Sequence, residues 1–206
     1  MGIVKQQTVE SVQQDERRRP RDREGLIASL RDPNPVARRW AARDLAGYPE
    51  SASALVERLA VEEDVSVREA ILLSLTEIGD QTAVSGLVQC LRSEDAHLRN
   101  EAIEAMKLLP NAVAPIMARL LTDPDPDVRI FAVNILESLR HPDVEKWLIE
   151  VISEDEYINV CATAVDLLGE VGTEAALAPL ASLKARFGDE PYIAFAVDLA
   201  LKRIPG

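Results

Sequence analysis

The chain is poor in aromatic residues, cysteine and histidine, and it has no long apolar run. Each shortage narrows what it can be. Aromatics are 4% of its 206 residues, while Ala, Leu and Val dominate; small and straight-chain residues of this kind favour closely packed helices. No run of about 18 apolar residues occurs, so no transmembrane helix is expected. The opening segment MGIVKQQTVESVQQDERRR lacks an apolar stretch of signal-peptide length. Its Met1-Gly2 start does not extend to a myristoylation motif, because Gln6 stands where Ser or Thr is needed. The two cysteines, Cys90 and Cys161, fall on apolar helix faces and read as small buried hydrophobes in a reducing compartment. A cytoplasmic protein is expected.

The chemistry-bearing motifs are equally scarce. His97 and His141 fall in turns far apart in sequence, without partners at metal-ligand spacing. No Cys-x-x-Cys, His-x-x-x-His, Gly-rich phosphate loop or Gly-x-Ser-x-Gly elbow occurs. Catalysis needs a converging set of groups in a concave site, so no enzyme activity, no cofactor and no metal are expected. Net charge is −12. Residues 1–24 hold six basic and five acidic side chains, which leaves about −13 on the remainder. A nucleic-acid binder needs a basic track along phosphates, so the expected partner is a protein with an apolar or basic surface.

What the chain has in abundance is repetition. Ala37, Val67, Leu98, Val128, Val160 and Ile193 open the same phrase, spaced 30, 31, 30, 32 and 33 residues apart. A fixed period of this length marks a solenoid. In the fourth repeat Val128, Ala132, Ile135, Leu136 and Leu139 fall on one helical face. The equivalent faces are Val67, Ile71, Leu75, Ile78; Leu98, Ala102, Met106, Leu109; and Val160, Ala164, Leu168, Val171. Between these second helices lie first helices centred on Leu26/Leu30, Leu55/Leu59, Leu87/Leu91, Ile116/Leu120, Leu148/Ile152 and Leu180/Leu183. Pro115 and Pro179 are expected near the starts of their first helices, and Gly79 and Gly172 as left-handed C-terminal caps. Two helices in about 31 residues leave only short turns, which makes antiparallel hairpins.

The recurring Asp-x-x-Val-Arg-x-x-x-Ala-x-x-x-Leu, fullest at Asp125, Val128, Arg129, Ala132 and Leu136, resembles the HEAT repeat over residues 24–204. The short period is similar to that of phycobilisome lyase subunits and of many bacterial scaffold proteins. The fold expected is all-α, a right-handed α-solenoid of six HEAT-like helical hairpin repeats over 24–206. Residues 1–23 are expected as a flexible segment or weak cap. Within them Ile3, Val4, Val9 and Val12 suit a capping helix over 3–14, and Arg17 to Arg23 a solvated linker. Arg38, Arg68, Arg99 and Arg129 are expected to pair with Asp64, Asp95 and Asp125 and tie repeats together.

HEAT arrays line their concave face with second helices, and this implies a partner surface on the residues left after core assignment. It takes Arg39, Trp40 and Arg43 from the first repeat, and Glu69 and Leu73 from the second. Asn100 and Glu104 follow from the third, Ile130, Phe131 and Asn134 from the fourth, and Asp166 from the fifth. Thr76, Glu101, Lys107, Glu137, Thr163, Phe195, Leu199 and Lys202 extend the same ridge. The expected function is a non-catalytic adaptor, assembly factor or regulator, monomeric or dimeric through end repeats. The resemblance implies an alternative, a phycobilin-lyase-like subunit or chaperone with Trp40, Phe131 and Cys161 near a tetrapyrrole. A HEAT-type DNA repair glycosylase is disfavoured by the acidic array.

Overall fold

Each of the six anchors enters the structure as the third residue of a helix, with its side chain buried. The structure is a computed structural model that describes residues 21–204; the cap expected over residues 3–14 and the final Pro205-Gly206 lie outside the described residues. Among the described residues the regular elements are all helical, and the chain is an α-solenoid-class protein built from helical hairpins. The pairs are α1 (Arg23–Ser29) and α2 (Pro35–Leu45), then α3 (Ala52–Leu59) and α4 (Val65–Ile78), then α5 (Gln81–Cys90) and α6 (Ala96–Lys107). They continue as α7 (Met117–Leu121) and α8 (Pro126–Leu136), α9 (Val144–Glu154) and α10 (Ile158–Val171), and α11 (Glu174–Arg186) and α12 (Pro191–Arg203). Two compact units divide within α5, Met1–Gly86 and Leu87–Gly206.

In the first unit α2 packs on α1 and on α4, and α3 packs on α4. Leu45, Leu55, Ile71 and Leu75 are fully buried between them, each contributing about 1.5–3 kcal/mol relative to exposure. The Ser74 hydroxyl, on α4, is shared at 2.9 Å between Ala70 O of its own helix and Ala42 O of α2. In the second unit consecutive second helices pack in series, α6 on α8, α8 on α10 and α10 on α12. The first helices α7, α9 and α11 pack in the same order. The apolar centres read for the first helices, from Leu26 to Leu183, are all buried.

Helix starts follow capping chemistry. Asn34, Asp64, Asp95 and Asp125 accept backbone N–H groups at the N-termini of α2, α4, α6 and α8, satisfying donors that have no partner within the helix. Pro35, Pro126 and Pro191 occupy the first helical position, where a missing N–H costs nothing. Asp64, Asp95 and Asp125, three before their anchors, thus act as helix caps.

Arg38 and Arg129 tie neighbouring repeats through Glu62 and Asp155. Arg38 donates to both Glu62 oxygens at 2.8 and 2.7 Å and to Asp32 O at 2.9 Å. Arg129 donates to both Asp155 oxygens at 2.6 and 3.0 Å and to Asp123 O at 2.6 Å. Arg99 donates to Ser93 O at 2.7 Å. In these three the carbonyl taken is six residues back, and for Arg38 and Arg129 the carboxylate comes from the turn of the next repeat. Asp32, Glu62, Ser93, Asp123 and Asp155 all stand five before an anchor, and each accepts the N–H two residues on. In the fifth repeat the arginine is replaced by Cys161, whose thiol donates to Asp155 O at 3.4 Å. Arg186 of α11 supplies the missing guanidinium, donating to Ile152 O, Ser153 O and Asp155 O at 2.6–2.9 Å.

Three local expectations fail. Gly79 is left-handed at φ 58°, but Gly172 is extended at φ −71°. What requires glycine at 172 is crowding, since a Cβ there would lie 2.5 Å from Leu168 O. Pro179 sits inside α11 because Thr173 caps that helix a turn and a half earlier, accepting from Ala175 N–H. Val171, read as a core position, is exposed at the last turn of α10, while Ile78 and Leu109 are half-buried.

Candidate second-helix face and clefts

The second-helix residues singled out from the sequence are solvent-accessible in both units. In the first unit Trp40 is exposed on α2, with the Arg39 and Arg43 guanidiniums 5.9 and 5.5 Å from its ring centroid. The three stand at i−1, i and i+3, so one helical turn presents an aromatic ring carrying two cations. Glu69 and Leu73 are exposed on α4, and Leu73 keeps 58% of its surface in solvent.

In the second unit Asn100 and Glu104 are exposed on α6, Asp166 on α10, and Ile130, Phe131 and Asn134 are half-buried on α8. Phe131 is partly covered by Arg99 of α6, 5.8 Å from its centroid. Lys107 of α6 bridges to Glu104 at 3.1 Å and to Glu137, just past α8, at 3.2 Å. Burial alone would lower the Lys107 pKa, and the two carboxylates more than reverse this, so it rises. Between α8 and α10 lies a cleft of about 220 Å³ lined by Asn134, Glu137, Thr163, Asp166 and Glu170 over Val133 and Leu167. Three carboxylates and two neutral hydrogen-bonding groups over an apolar floor suit a basic or amide-bearing protein segment. Asn134 and Asp166 are thus brought together, while Asn100 and Glu104 lie outside this cleft.

Burial removes other candidates. Cys161 is wholly buried on α10, so it cannot touch a tetrapyrrole lying on the surface. Neither cysteine forms a disulfide. Burial pushes the Cys90 thiol up to about 11 and the Cys161 thiol upward too, which suppresses the reactive thiolate. His97, placed in a turn by the sequence reading, is the second residue of α6 and contacts Glu101 at 3.2 Å. His141 stacks on Trp147 at 4.9 Å. Among the described residues no group of His, Cys, Asp and Glu is arranged to hold a metal, and no helix is long and apolar enough to cross a membrane.

A second cleft escaped the sequence reading. It lies between α7 and α9 and measures about 420 Å³. Ala118 and Leu121 of α7 and Val151 of α9 form its apolar part, with Trp147, Glu150 and Glu154 on the same face of α9. Asp155, Glu156 and Tyr157 close one end beside Arg129. On the α7 side it is lined by the last turn of that five-residue helix and the Thr122-Asp123 turn after it. The available signal was Trp147 followed at i+3, i+4 and i+7 by Glu150, Val151 and Glu154.

Helical hairpins, caps and arginine ties recurring every 30–33 residues define a HEAT-repeat protein. The family of HEAT repeats matches residues 23–107 and 113–194, and the chain belongs to it. Over 74 residues, 35% of its length, the chain is 43% identical to the bilin biosynthesis protein PecE of Mastigocladus laminosus and covers 28% of that protein. It is 40% identical over 74 residues to PecE of a Nostoc species, again 35% of the chain and 29% of the relative. The match thus spans less than a third of these relatives. Mini spindles TOG3 of Drosophila melanogaster shares the fold at a TM-score of 0.56 and 16% identity, covering 88% of this chain and 93% of that one.

Proposed function

We propose that this chain is a non-catalytic protein-binding scaffold that captures a basic segment of a protein partner on its second-helix faces. The observation that carries the reading is the α8–α10 cleft, where Asn134, Glu137, Thr163, Asp166 and Glu170 converge over an apolar floor. Residues 87–206 hold twenty acidic and eleven basic side chains, a net −9, so the field around that cleft attracts basic segments. In the first unit Arg39, Trp40, Arg43, Glu69 and Leu73 are accessible and of mixed chemistry. Ile130→Arg with Asn134→Arg should abolish capture of a partner from native lysate and leave the helical melt intact. Unchanged capture removes this face from the account.

A second reading is favoured by the 43% identity to PecE: a role for the chain in bilin biosynthesis, as a subunit or chaperone acting on a chromophore-carrying protein. Trp40 and Phe131 remain accessible for such a ligand. Titrating the purified chain with phycocyanobilin tests it. A shifted and sharpened absorbance band supports the bilin role, and an unchanged spectrum retires direct bilin binding.

A further inference from the structure

The α7–α9 cleft belongs to the first-helix side and shares no residue with the α8–α10 cleft. Its chemistry is specific. Arg129 at its edge already shows how this surface holds a guanidinium: a bidentate carboxylate from Asp155, and the Tyr157 ring at 5.1 Å. That internal cation is matched by Asp155, so the rest of the cleft carries excess negative charge. Glu154 and Glu156 form no ion pair among the described residues, and Glu150 meets only Lys146 at 3.8 Å with both groups solvated, an arrangement of little strength. Trp147 has one face stacked on His141, at 13° between the rings, and Tyr157 is 53% exposed. The two aromatic residues stand at opposite ends of the cleft, separated by the turns of α9 that carry Glu150 and Glu154. The volume falls in the roughly 300–1,000 Å³ range of small-ligand sites, room for more than a single side chain.

We propose that this cleft binds an arginine-bearing segment of a protein partner. The aliphatic stems lie on Ala118, Leu121 and Val151, the guanidiniums stack on Trp147 and Tyr157, and Glu150, Glu154 and Glu156 meet their charge. Arginine is selected over lysine because its planar, weakly hydrated head stacks on rings and pairs with carboxylates at once. The acidic lining rejects phosphate-bearing ligands.

The test uses the full chain with Trp40→Phe, which leaves Trp147 as the sole tryptophan. The probe is the capped peptide Gly-Arg-Arg-Gly-Arg-Gly, with lysine and citrulline versions. Saturating arginine peptide should shift Trp147 emission. The paired substitution Glu154→Gln with Glu156→Gln should weaken binding at least tenfold; both side chains are exposed, so the fold is kept. The control pair, Glu57→Gln with Glu63→Gln, removes the same charge from exposed positions outside both clefts and should change affinity less than twofold. The lysine peptide should bind several-fold more weakly, and the citrulline peptide not at all. Equal losses from the two pairs, an unmoved Trp147 emission at saturation, or no binding would each overturn the proposal. Because the two clefts are separate, failure here leaves the second-helix face standing, and the converse holds.

Discussion

Replacing Glu62 with glutamine should remove a pH-dependent part of the stability of the first unit. The Glu62 side chain is fully buried. Burial alone would raise its pKa. Hydrogen bonds from Arg38 and Arg58, at 2.7–2.8 Å, and from Asp64 N–H at 3.0 Å outweigh that and bring it from 4.5 to about 2. At about 1.4 kcal/mol for each pKa unit, the depression corresponds to about 3 kcal/mol favouring the folded state. A depressed carboxylate contributes fully above its unfolded pKa and loses that contribution as pH falls through its folded value. The window is therefore pH 4.5 down to about 2. Urea unfolding followed by Trp40 emission in a Trp147→Phe background reports on this unit. With a slope of about 2 kcal/mol per molar urea, Glu62→Gln should lower the midpoint by roughly 1.5 M at pH 7, and the two midpoints should converge toward pH 2. Parallel midpoints for the two proteins from pH 5 to 2.5 would refute the reasoning.

The same tie in the second unit predicts that Arg129→Ala costs about 3 kcal/mol and that Arg129→Lys restores little, since lysine cannot bridge Asp155 and Asp123 O together; Trp147 emission in Trp40→Phe measures both. Gly79→Ala forces a side chain into the left-handed region at φ 58° and should cost about 1–2 kcal/mol. Gly172→Ala should cost about 1–3 kcal/mol through crowding against Leu168 O; thermal melts compare the two. Cys90 and Cys161 should react with a maleimide at pH 8 far more slowly than in urea, because both are buried with raised pKa values; equal rates would show that these helices open readily.

The repeat was legible because its signal is redundant. A buried aliphatic third residue recurs at all six anchors, and in the first four repeats a capping side chain stands three residues before it. The arginine tie was legible in kind but not in partner. Asp125 and Asp123 stand two apart in one turn, and only the backbone decides that the first caps α8 while the second turns the chain. Glu62 and Asp155 differ in residue type, which hid their shared place five before the anchor. Gly79 and Gly172 look alike in sequence, yet one answers to a dihedral angle and the other to a neighbouring carbonyl. Second-helix offsets put Asn134 and Asp166 at the same position of neighbouring repeats, and both line the α8–α10 cleft. The α7–α9 cleft was not legible, because it brings the end of α7 against residues of α9 and the following turn about thirty positions away in sequence.

The scaffold reading rests on a partner seated against the α8–α10 face. Site-specific crosslinking addresses it, with a benzophenone side chain placed at Asn134, at Asp166 or at Ser182, an exposed position on the first helix α11. The account predicts that one and the same polypeptide is trapped from positions 134 and 166, that position 182 traps none, and that Ile130→Arg abolishes the adduct. Equal trapping from position 182, or adducts from 134 that survive Ile130→Arg, would contradict it.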